Sequence, residues 1–145
     1  MITFGLIGKS LEHSFSSQYF NEKFFKEGIS DTQYLNFELK DISEFTELIK
    51  TNKLSGLNIT IPYKESIIPF LDELNEEAQE IGAVNTIQFS NGKTIGHNTD
   101  HIGFTNSIQP LLEGRNKAII LGEGGAAKAI KYALKKLNIE YKTIN

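Results

Sequence analysis

The sequence contains no cysteine and no tryptophan, and it has only one methionine and three prolines among its 145 residues. Without cysteine the chain cannot form disulfides, use a thiolate nucleophile or bind zinc through sulfur. Its three histidines, His13, His97 and His101, form no obvious metal-binding pattern. We therefore expect no metal centre and no chemistry that depends on a thiol.

Long apolar runs and a strong charge excess are also lacking. No segment reaches the ~18 consecutive apolar residues of a membrane-spanning helix. A formal net charge of −3 gives no reason to expect nucleic acid or a membrane surface as a partner. Residues 1–5 lack the basic region of a secretory signal peptide. With 39% hydrophobic and 23% charged residues, the composition is that of a globular protein, and we expect a cytoplasmic enzyme or small-molecule-binding protein.

Strand and helix patterns alternate from the start of the chain. Apolar strand patterns cover residues 2–7, 34–39 and 56–59, and two helical patterns separate them. Ser14 is the expected N-cap of the first, aromatic-rich helix, and Asp41 begins a capping box at the second. This β-α-β-α-β order predicts parallel strands joined by right-handed crossovers.

The rest of the chain predicts a hairpin and then a second β-α-β unit. After short helices broken at Pro69 we expect a longer helix, a β-hairpin around an Asn-Gly pair and a helix that begins near Asp100. The following β-α-β unit has the expected bounds 117–121, 127–137 and 140–144. We therefore predict an α/β protein with an open, mainly parallel sheet in residues 1–100, followed by the start of a Rossmann-like nucleotide domain in residues 101–145.

Polar side chains gather where the third strand ends. Asn58, Thr60 and Lys64 lie at or just beyond the carboxyl end of that strand, and ligands bind at this edge of open α/β sheets. Pro62 suits the first turn of a helix, because its φ is fixed near the helical value. The alternative interpretation is an ordinary strand-to-helix turn that carries a solvated lysine.

A glycine-rich segment stands between a strand pattern and a helix pattern later in the chain. Residues 122–127 satisfy G-x-G-x-x-A, in which glycines let the backbone approach a pyrophosphate at a helix N-terminus. An ordinary tight turn is the alternative. Glu123 must point away from the phosphates or it will weaken their binding. The acidic residue that would hold an NAD ribose belongs about 20 residues further on, where Ile144 and Asn145 stand.

Four other polar residues could contact a small polar ligand. Ser14 and Ser16 flank the start of the first helix, Asn85 lies in an apolar strand pattern, and Asp100 stands at a helix start. Each also has a structural interpretation, as a helix cap or as a partner for a buried polar group.

Together these segments resemble the shikimate dehydrogenase family over the whole length of the chain. The resemblance rests on five ordered motifs rather than on a single one. They are Gly5-Leu6-Ile7-Gly8 with Ser14-Phe15-Ser16, then Asn58-Ile59-Thr60-Ile61-Pro62-Tyr63-Lys64, Gly82-Ala83-Val84-Asn85-Thr86, Asn98-Thr99-Asp100 with Gly103-Phe104, and Gly122-Glu123-Gly124-Gly125-Ala126. The sequence departs from the family pattern at Ser17 and Phe20, where proline and histidine are common, and we expect this to alter packing rather than chemistry.

The resemblance implies reversible hydride transfer between NADPH and 3-dehydroshikimate, which gives shikimate on the route to aromatic amino acids. Lys64 is then the catalytic acid/base with Asp100 beside it, since a positioned ammonium stabilises charge that builds on the reacting oxygen. The implied substrate-binding residues are Ser14, Ser16, Asn58, Thr60, Lys64, Asn85 and Asp100. The implied NADP-binding residues are Gly122, Gly124, Gly125, Ala126 and Asn145.

Members of that family are much longer than this chain. We therefore expect a truncated form with little activity, in which the apolar face of residues 117–145 drives self-association or disorder. An NAD-using quinate/shikimate dehydrogenase is a second possibility, and Ser16 favours shikimate over quinate only weakly. A non-enzymatic domain that binds a small acid is the third.

Overall fold

The computed structural model describes residues 1–145 and contains eight strands and five α-helices. The strands are β1 (Ile2–Gly8), β2 (Thr32–Glu38), β3 (Gly56–Ile59), β4 (Glu73–Leu74), β5 (Thr86–Ser90), β6 (Lys93–His97), β7 (Lys117–Leu121) and β8 (Glu140–Ile144). The helices are α1 (Ser16–Lys26), α2 (Phe45–Thr51), α3 (Glu76–Ile81), α4 (Asp100–Ile108) and α5 (Gly125–Lys136). Short 3-10 turns lie at Ile42–Glu44, Ile68–Phe70 and Gln109–Leu111. No helix combines the length and apolar character needed to cross a membrane.

The first six strands form one mixed sheet in the order β2-β1-β3-β5-β6-β4. Three of its five pairings are parallel and two are antiparallel. The parallel arrangement of β2, β1 and β3 confirms the prediction for the β-α-β-α-β segment. The register places Leu6 of β1 opposite Asn58 of β3. The carboxyl ends of β1 and β3 therefore lie side by side.

The main core covers one face of this sheet. Ile7, Ile59 and Ile87 from the strands pack with Phe45 from α2 and Ile67 from the turn after β3, and all five are almost completely buried. The opposite face carries α1, whose Phe20 and Phe24 contact the buried Leu6 and Tyr34. Because α1 has apolar residues around much of its circumference, Phe15, Tyr19 and Phe25 stay largely exposed. Only part of the aromatic residues in and before this helix therefore contribute to the core.

Three local predictions are wrong. Ser14 does not cap α1; the N-cap residue is Phe15, and the Ser14 hydroxyl accepts a hydrogen bond from Ser16 N–H at 3.3 Å. Pro62 does not open a helix, because residues 61–67 form turns that include a cis Ile61–Pro62 peptide bond. Pro69 lies inside a 3-10 turn rather than between two helices. The two-residue strand β4 had no sequence signal.

Residues 117–144 form a second, two-stranded sheet covered by one helix, and β7 and β8 lie at the predicted bounds. One face of α5 packs on this sheet through Ala127 and Leu134. Its Ala129, which is fully buried, contacts Ile81 and Ala83 of the first part of the chain. Thus α5 has two packed faces and joins the two sheets.

Candidate active site

The turn after β3 is held in place by hydrogen bonds to three other segments of the chain. Thr60 N–H donates to the Ile7 carbonyl at 2.9 Å, which ties the end of β3 to β1. The buried Tyr63 donates its hydroxyl to the Leu39 carbonyl. The Lys64 carbonyl accepts from Val84 N–H at 2.7 Å. The Lys64 side chain is consequently fixed at its base, and only 15% of it is exposed to solvent.

Lys64 forms an ion pair with Asp100. The Lys64 Nζ donates to Asp100 Oδ2 at 2.6 Å, and Asn85 Nδ2 donates to the other carboxylate oxygen at 3.1 Å. Asn85 is itself held by Thr99, whose N–H donates to Asn85 Oδ1 at 2.8 Å and whose hydroxyl accepts from Asn85 Nδ2 at 2.8 Å. The ammonium and the carboxylate therefore have fixed relative positions, as a proton-transfer group requires.

Asp100 is the first residue of α4, where the helix N-terminus favours a carboxylate. It is not the capping side chain. The Oδ1 of buried Asn98 accepts from Asp100 N–H at 3.0 Å, and Asn98 Nδ2 donates to the Ala83 carbonyl at 3.0 Å. Because the Asn98 side chain, and not that of Asp100, accepts from the first N–H of α4, the Asp100 carboxylate is free to face Lys64.

Asn58 reaches the same group of residues from β3. Its Oδ1 accepts from the Tyr34 hydroxyl at 2.8 Å, and its Nδ2 lies 3.3 Å from Thr86 Oγ1 and 3.4 Å from the Asn85 carbonyl. The burial that surrounds Tyr34 raises the pKa of its hydroxyl, so this group stays a hydrogen-bond donor. Tyr34 thereby fixes the orientation of the Asn58 amide.

Ser14, Ser16 and Thr60 lie outside this hydrogen-bond network. The two serines are half-buried in the segment that leads into α1, and Ser14 N–H donates to the Leu11 carbonyl at 2.9 Å. The Thr60 methyl lies close to Gly8, beside Leu11. The structure thus joins Lys64, Asn85, Asp100 and Asn58 directly, whereas Ser14, Ser16 and Thr60 flank the end of β1.

The glycine-rich loop runs from β7 into α5 beside Lys64. A Cβ on Gly122 or on Gly124 would meet nothing within 4 Å. The first N–H groups of the 12-residue α5 have no partner within the helix. The space next to these glycines is open, and the N–H groups at the start of α5 can donate hydrogen bonds. Both features suit the binding of a pyrophosphate. Glu123 turns towards Lys131, with 2.6 Å between Oε2 and Nζ, so its charge is paired.

The loop and Lys64 border one cleft of about 260 Å³. It is lined by Ile61, Pro62, Lys64, Glu65, Gly124, Gly125 and Ala126. Asn145 follows β8, whose last residue Ile144 accepts at its carbonyl from Gly122 N–H at 2.9 Å. The exposed Asn145 is therefore at the same sheet edge as the loop.

Residues 6–87 match the family model described as the shikimate dehydrogenase substrate binding domain. The chain belongs to the shikimate dehydrogenase family. A shikimate dehydrogenase (NADP(+)) of Pyrococcus abyssi is 45% identical over 139 residues, which are 94% of this chain and 52% of that protein. The chain thus spans about half the length of the curated relatives that it matches.

Solved structures of the family superpose closely on this fold. Shikimate dehydrogenase 1 from Peptoclostridium difficile is 37% identical, with a TM-score of 0.89 over 99% of this chain and 56% of that one. Quinate dehydrogenase from Corynebacterium glutamicum, solved with NAD, is 31% identical, with a TM-score of 0.85 over 98% of this chain and 54% of that one. The fold is therefore shared by enzymes named for shikimate and for quinate.

Several residues of the site escaped prediction. Tyr34 orients Asn58 and Thr99 holds Asn85, although the sequence predicts a site role for neither. Thr86, a polar residue in an apolar strand pattern, also bonds Asn58. Asn98 stands in the Asn98-Thr99-Asp100 motif, and the preference of asparagine for helix starts suggests its bond to the first N–H of α4. The contact between Tyr34 and Asn58 joins residues 24 positions apart, and no local pattern predicts it.

Proposed function

We propose that this chain carries the substrate-binding and proton-transfer half of a shikimate dehydrogenase. The reaction is the reversible, NADPH-dependent reduction of 3-dehydroshikimate to shikimate. The observation that supports it best is the 2.6 Å ion pair between Lys64 and Asp100, beside the loop that opens α5. Residues 1–100 are proposed as the substrate-binding domain and residues 101–145 as a linker helix with part of a nucleotide domain.

Lys64 acts as the general acid when the carbonyl is reduced, and NADPH supplies the hydride when it is bound. The Lys64 ammonium donates a proton to the oxygen on which negative charge develops, and neutral Lys64 takes it back in the reverse direction. Asp100, which is itself held by Asn85, keeps the ammonium in place beside the cleft.

The remaining polar residues hold the two ligands. Hydroxyl and amide groups match the ring hydroxyls and carboxylate of shikimate, and those assigned to it are Ser14, Ser16, Asn58, Thr60, Asn85 and Asp100. The loop residues Gly122, Gly124, Gly125 and Ala126 would hold the pyrophosphate of NADP. Asn145 lies at the sheet edge where the ribose would be recognised.

Two other functions are candidates, and one experiment distinguishes them from the first. The likeness to a quinate dehydrogenase solved with NAD favours an NAD-using quinate/shikimate dehydrogenase as the second candidate. A domain that binds a small acid without turnover is the third, because the chain spans about half the length of its relatives. We propose that turnover by these 145 residues alone is slow.

Calorimetric titration with shikimate, quinate, NADP⁺ and NAD⁺ separates the three candidates. Binding of shikimate and NADP⁺ supports the first, a preference for quinate and NAD⁺ supports the second, and shikimate binding without any nucleotide supports the third. Failure to bind either acid contradicts all three. A turnover number typical of a complete dehydrogenase would contradict the expectation of slow turnover.

Lys64→Met tests the proton-transfer role. We expect shikimate affinity to fall by roughly fivefold, since one charge-assisted hydrogen bond is lost, and shikimate oxidation to fall by roughly 10²–10⁴. Lys93→Met is the matched control, because Lys93 pairs with Glu73 at the exposed end of the hairpin. Equal effects of the two substitutions would contradict the role of Lys64.

We also propose that two copies of the chain associate through the open face of the second sheet. Ile119, Leu121 and Ile144 are largely exposed there, and Leu121 lies opposite Ile144 in the register. Leu121→Lys should therefore shift the mass measured by light scattering towards the monomer. A wild-type chain that is monomeric at high concentration would contradict this association.

A further inference from the structure

Gly125 occupies a position that the nucleotide-binding fingerprint leaves free. The pattern G-x-G-x-x-A constrains Gly122, Gly124 and Ala127 but not residue 125. Gly125 is also not among the glycines with a positive φ, so its backbone does not demand glycine. Gly125 is the first residue of α5, and its helical backbone suits alanine at least as well as glycine. Besides the nucleotide assigned to this loop, the protein atoms around position 125 give a reason of their own for glycine.

The neighbour that excludes a side chain is Lys64. A Cβ on Gly125 would lie 2.8 Å from Lys64 Cβ, 3.5 Å from Lys64 Cδ and 3.5 Å from Ala83 Cβ. Non-bonded carbon atoms prefer separations of about 3.5–4.0 Å, so the first contact forces something to move. Ala83 is completely buried and has no room to yield.

Helix α5 cannot move away easily, because the side of the helix that carries Gly125 packs against the first part of the chain. Lys128 Nζ lies 2.7 Å from Glu65 Oε2, next to Lys64 in the chain. Ala129 is fully buried against Ile81 and Ala83. These positions follow Gly125 at helical spacing and lie on the same side of the helix. A methyl group at position 125 would therefore push against the Lys64 stem.

We propose that Gly125 is a positioning residue for Lys64. By lacking a side chain, it lets the start of α5 close onto the Lys64 stem and keeps the ammonium against Asp100. The loop that receives a nucleotide is thus in direct contact with the proton donor. The contact between Gly125 and Lys64 does not depend on the proposed function. The roles of Lys64 as proton donor and of the loop as nucleotide site rest on that proposal.

Gly125→Ala and Gly124→Ala make a matched pair of variants. Both add one methyl group to the same loop, but a Cβ at Gly124 meets nothing within 4 Å. In a chain labelled with ¹³C at lysine Cε, we expect Gly125→Ala to displace the Lys64 signal, which Lys64→Met identifies by its loss. Gly124→Ala should leave that signal in place. An unmoved Lys64 signal in folded Gly125→Ala overturns the proposal.

Shikimate affinity then distinguishes positioning from general damage. We expect Gly125→Ala to weaken binding roughly fivefold in the wild-type background and less than twofold when Lys64→Met is already present, because residues that act through one another are not additive. Equal losses in both backgrounds overturn the proposal. If the wild-type chain binds no shikimate, the proposed function fails, while the Lys64 signal still tests the packing.

A measurement on the unmodified chain covers the case in which Gly125→Ala does not fold. The contact predicts nuclear Overhauser effects between the Gly125 α protons and the Lys64 β protons. Their presence supports the packing, and their absence from a spectrum with both residues assigned overturns it.

Discussion

The ion pair between Lys64 and Asp100 should contribute measurably to stability, and a double-mutant cycle can isolate its contribution. The cycle uses Lys64→Met, Asp100→Asn and the two combined. The Lys64 and Asp100 side chains are 15% and 33% exposed, so the pair lies between a fully buried and a fully exposed ion pair. Breaking a fully buried pair costs about 3–5 kcal/mol, whereas exposed pairs are worth about 0.2–1 kcal/mol. We expect a coupling energy of about 1–2 kcal/mol.

The structure also predicts the sign of each single effect. Asp100→Asn leaves the Lys64 ammonium without its anionic partner in a largely enclosed position, so this variant is destabilised. Lys64→Met replaces the charge with an apolar chain of similar length and frees the Asp100 carboxylate, which still accepts from Asn85 Nδ2 at 3.1 Å. We therefore expect Asp100→Asn to lose more stability than Lys64→Met.

Urea unfolding of the four proteins at neutral pH measures the cycle, provided that the m-values agree. Lys93 and Glu73 form the control pair, because they are close in space but 59% and 48% exposed. Their coupling should be clearly the smaller of the two and should decline more with added salt. A coupling for Lys64 and Asp100 no larger than that of the control pair would refute the reasoning.

Three further outcomes are expected. Phe45→Ala should destabilise the chain by about 3–5 kcal/mol in urea unfolding, because Phe45 is fully buried; a loss below ~1 kcal/mol would contradict this core. Tyr34→Phe should cost about 1–2 kcal/mol and weaken shikimate binding, because the Asn58 amide loses its donor; unchanged stability and affinity would contradict that role. Hydrogen bonds from the Thr94 N–H and hydroxyl lower the pKa of Asp72, so wild type should be more stable than Asp72→Asn at neutral pH. That advantage should disappear as the pH falls through the folded-state pKa of Asp72, and an advantage that persists at pH ~2 would contradict it.

The elements that could be predicted from sequence are those whose cause is local. The bounds of β7 follow from a short apolar run between turn residues, and those of β8 from a short segment rich in the strand-forming residues Tyr, Thr and Ile. The hairpin follows from Asn91 and Gly92, which both adopt the positive φ that such a pair favours. The stop of α3 follows from Gly82, which takes the left-handed conformation. In each case the residues that determine the local conformation lie within the segment itself, so the sequence of that segment is enough to predict it.

The turn at Pro62 shows why other predictions failed. Proline fixes φ near a value that suits both a first helical turn and a β-turn, so Pro62 alone does not determine which of the two forms. The next residue, Tyr63, favours the turn, because its ring is buried and its hydroxyl donates to the Leu39 carbonyl. That contact spans 24 positions in sequence. A pattern within one segment cannot contain it.

Four of the residues predicted for the site, Asn58, Lys64, Asn85 and Asp100, lie together in the structure, but most of the hydrogen bonds that join them could not be predicted. The position of Lys64 after a strand and of Asp100 at a helix start suggested a ligand edge, and the structure places them 2.6 Å apart. The role of Asn85 was left open between ligand contact and structural partner, and in the structure it bonds Asp100 and Thr99. Hydrogen-bond partners depend on how separate elements meet, which composition and spacing do not encode.

Helix α5 explains why the ion pair and the glycine loop are not independent. Gly125 at its start contacts the Lys64 stem. Two turns further along the same helix face, Tyr132 packs edge-on against His101, with 5.0 Å between ring centroids. His101 directly follows Asp100 in the first turn of α4. Both members of the ion pair are thus located by the same rigid helix whose N-terminus faces the cleft. A displacement of α5 therefore acts on the loop and on the residues that locate both ions, and changes of ~1 Å are enough to affect a reaction that depends on orientation.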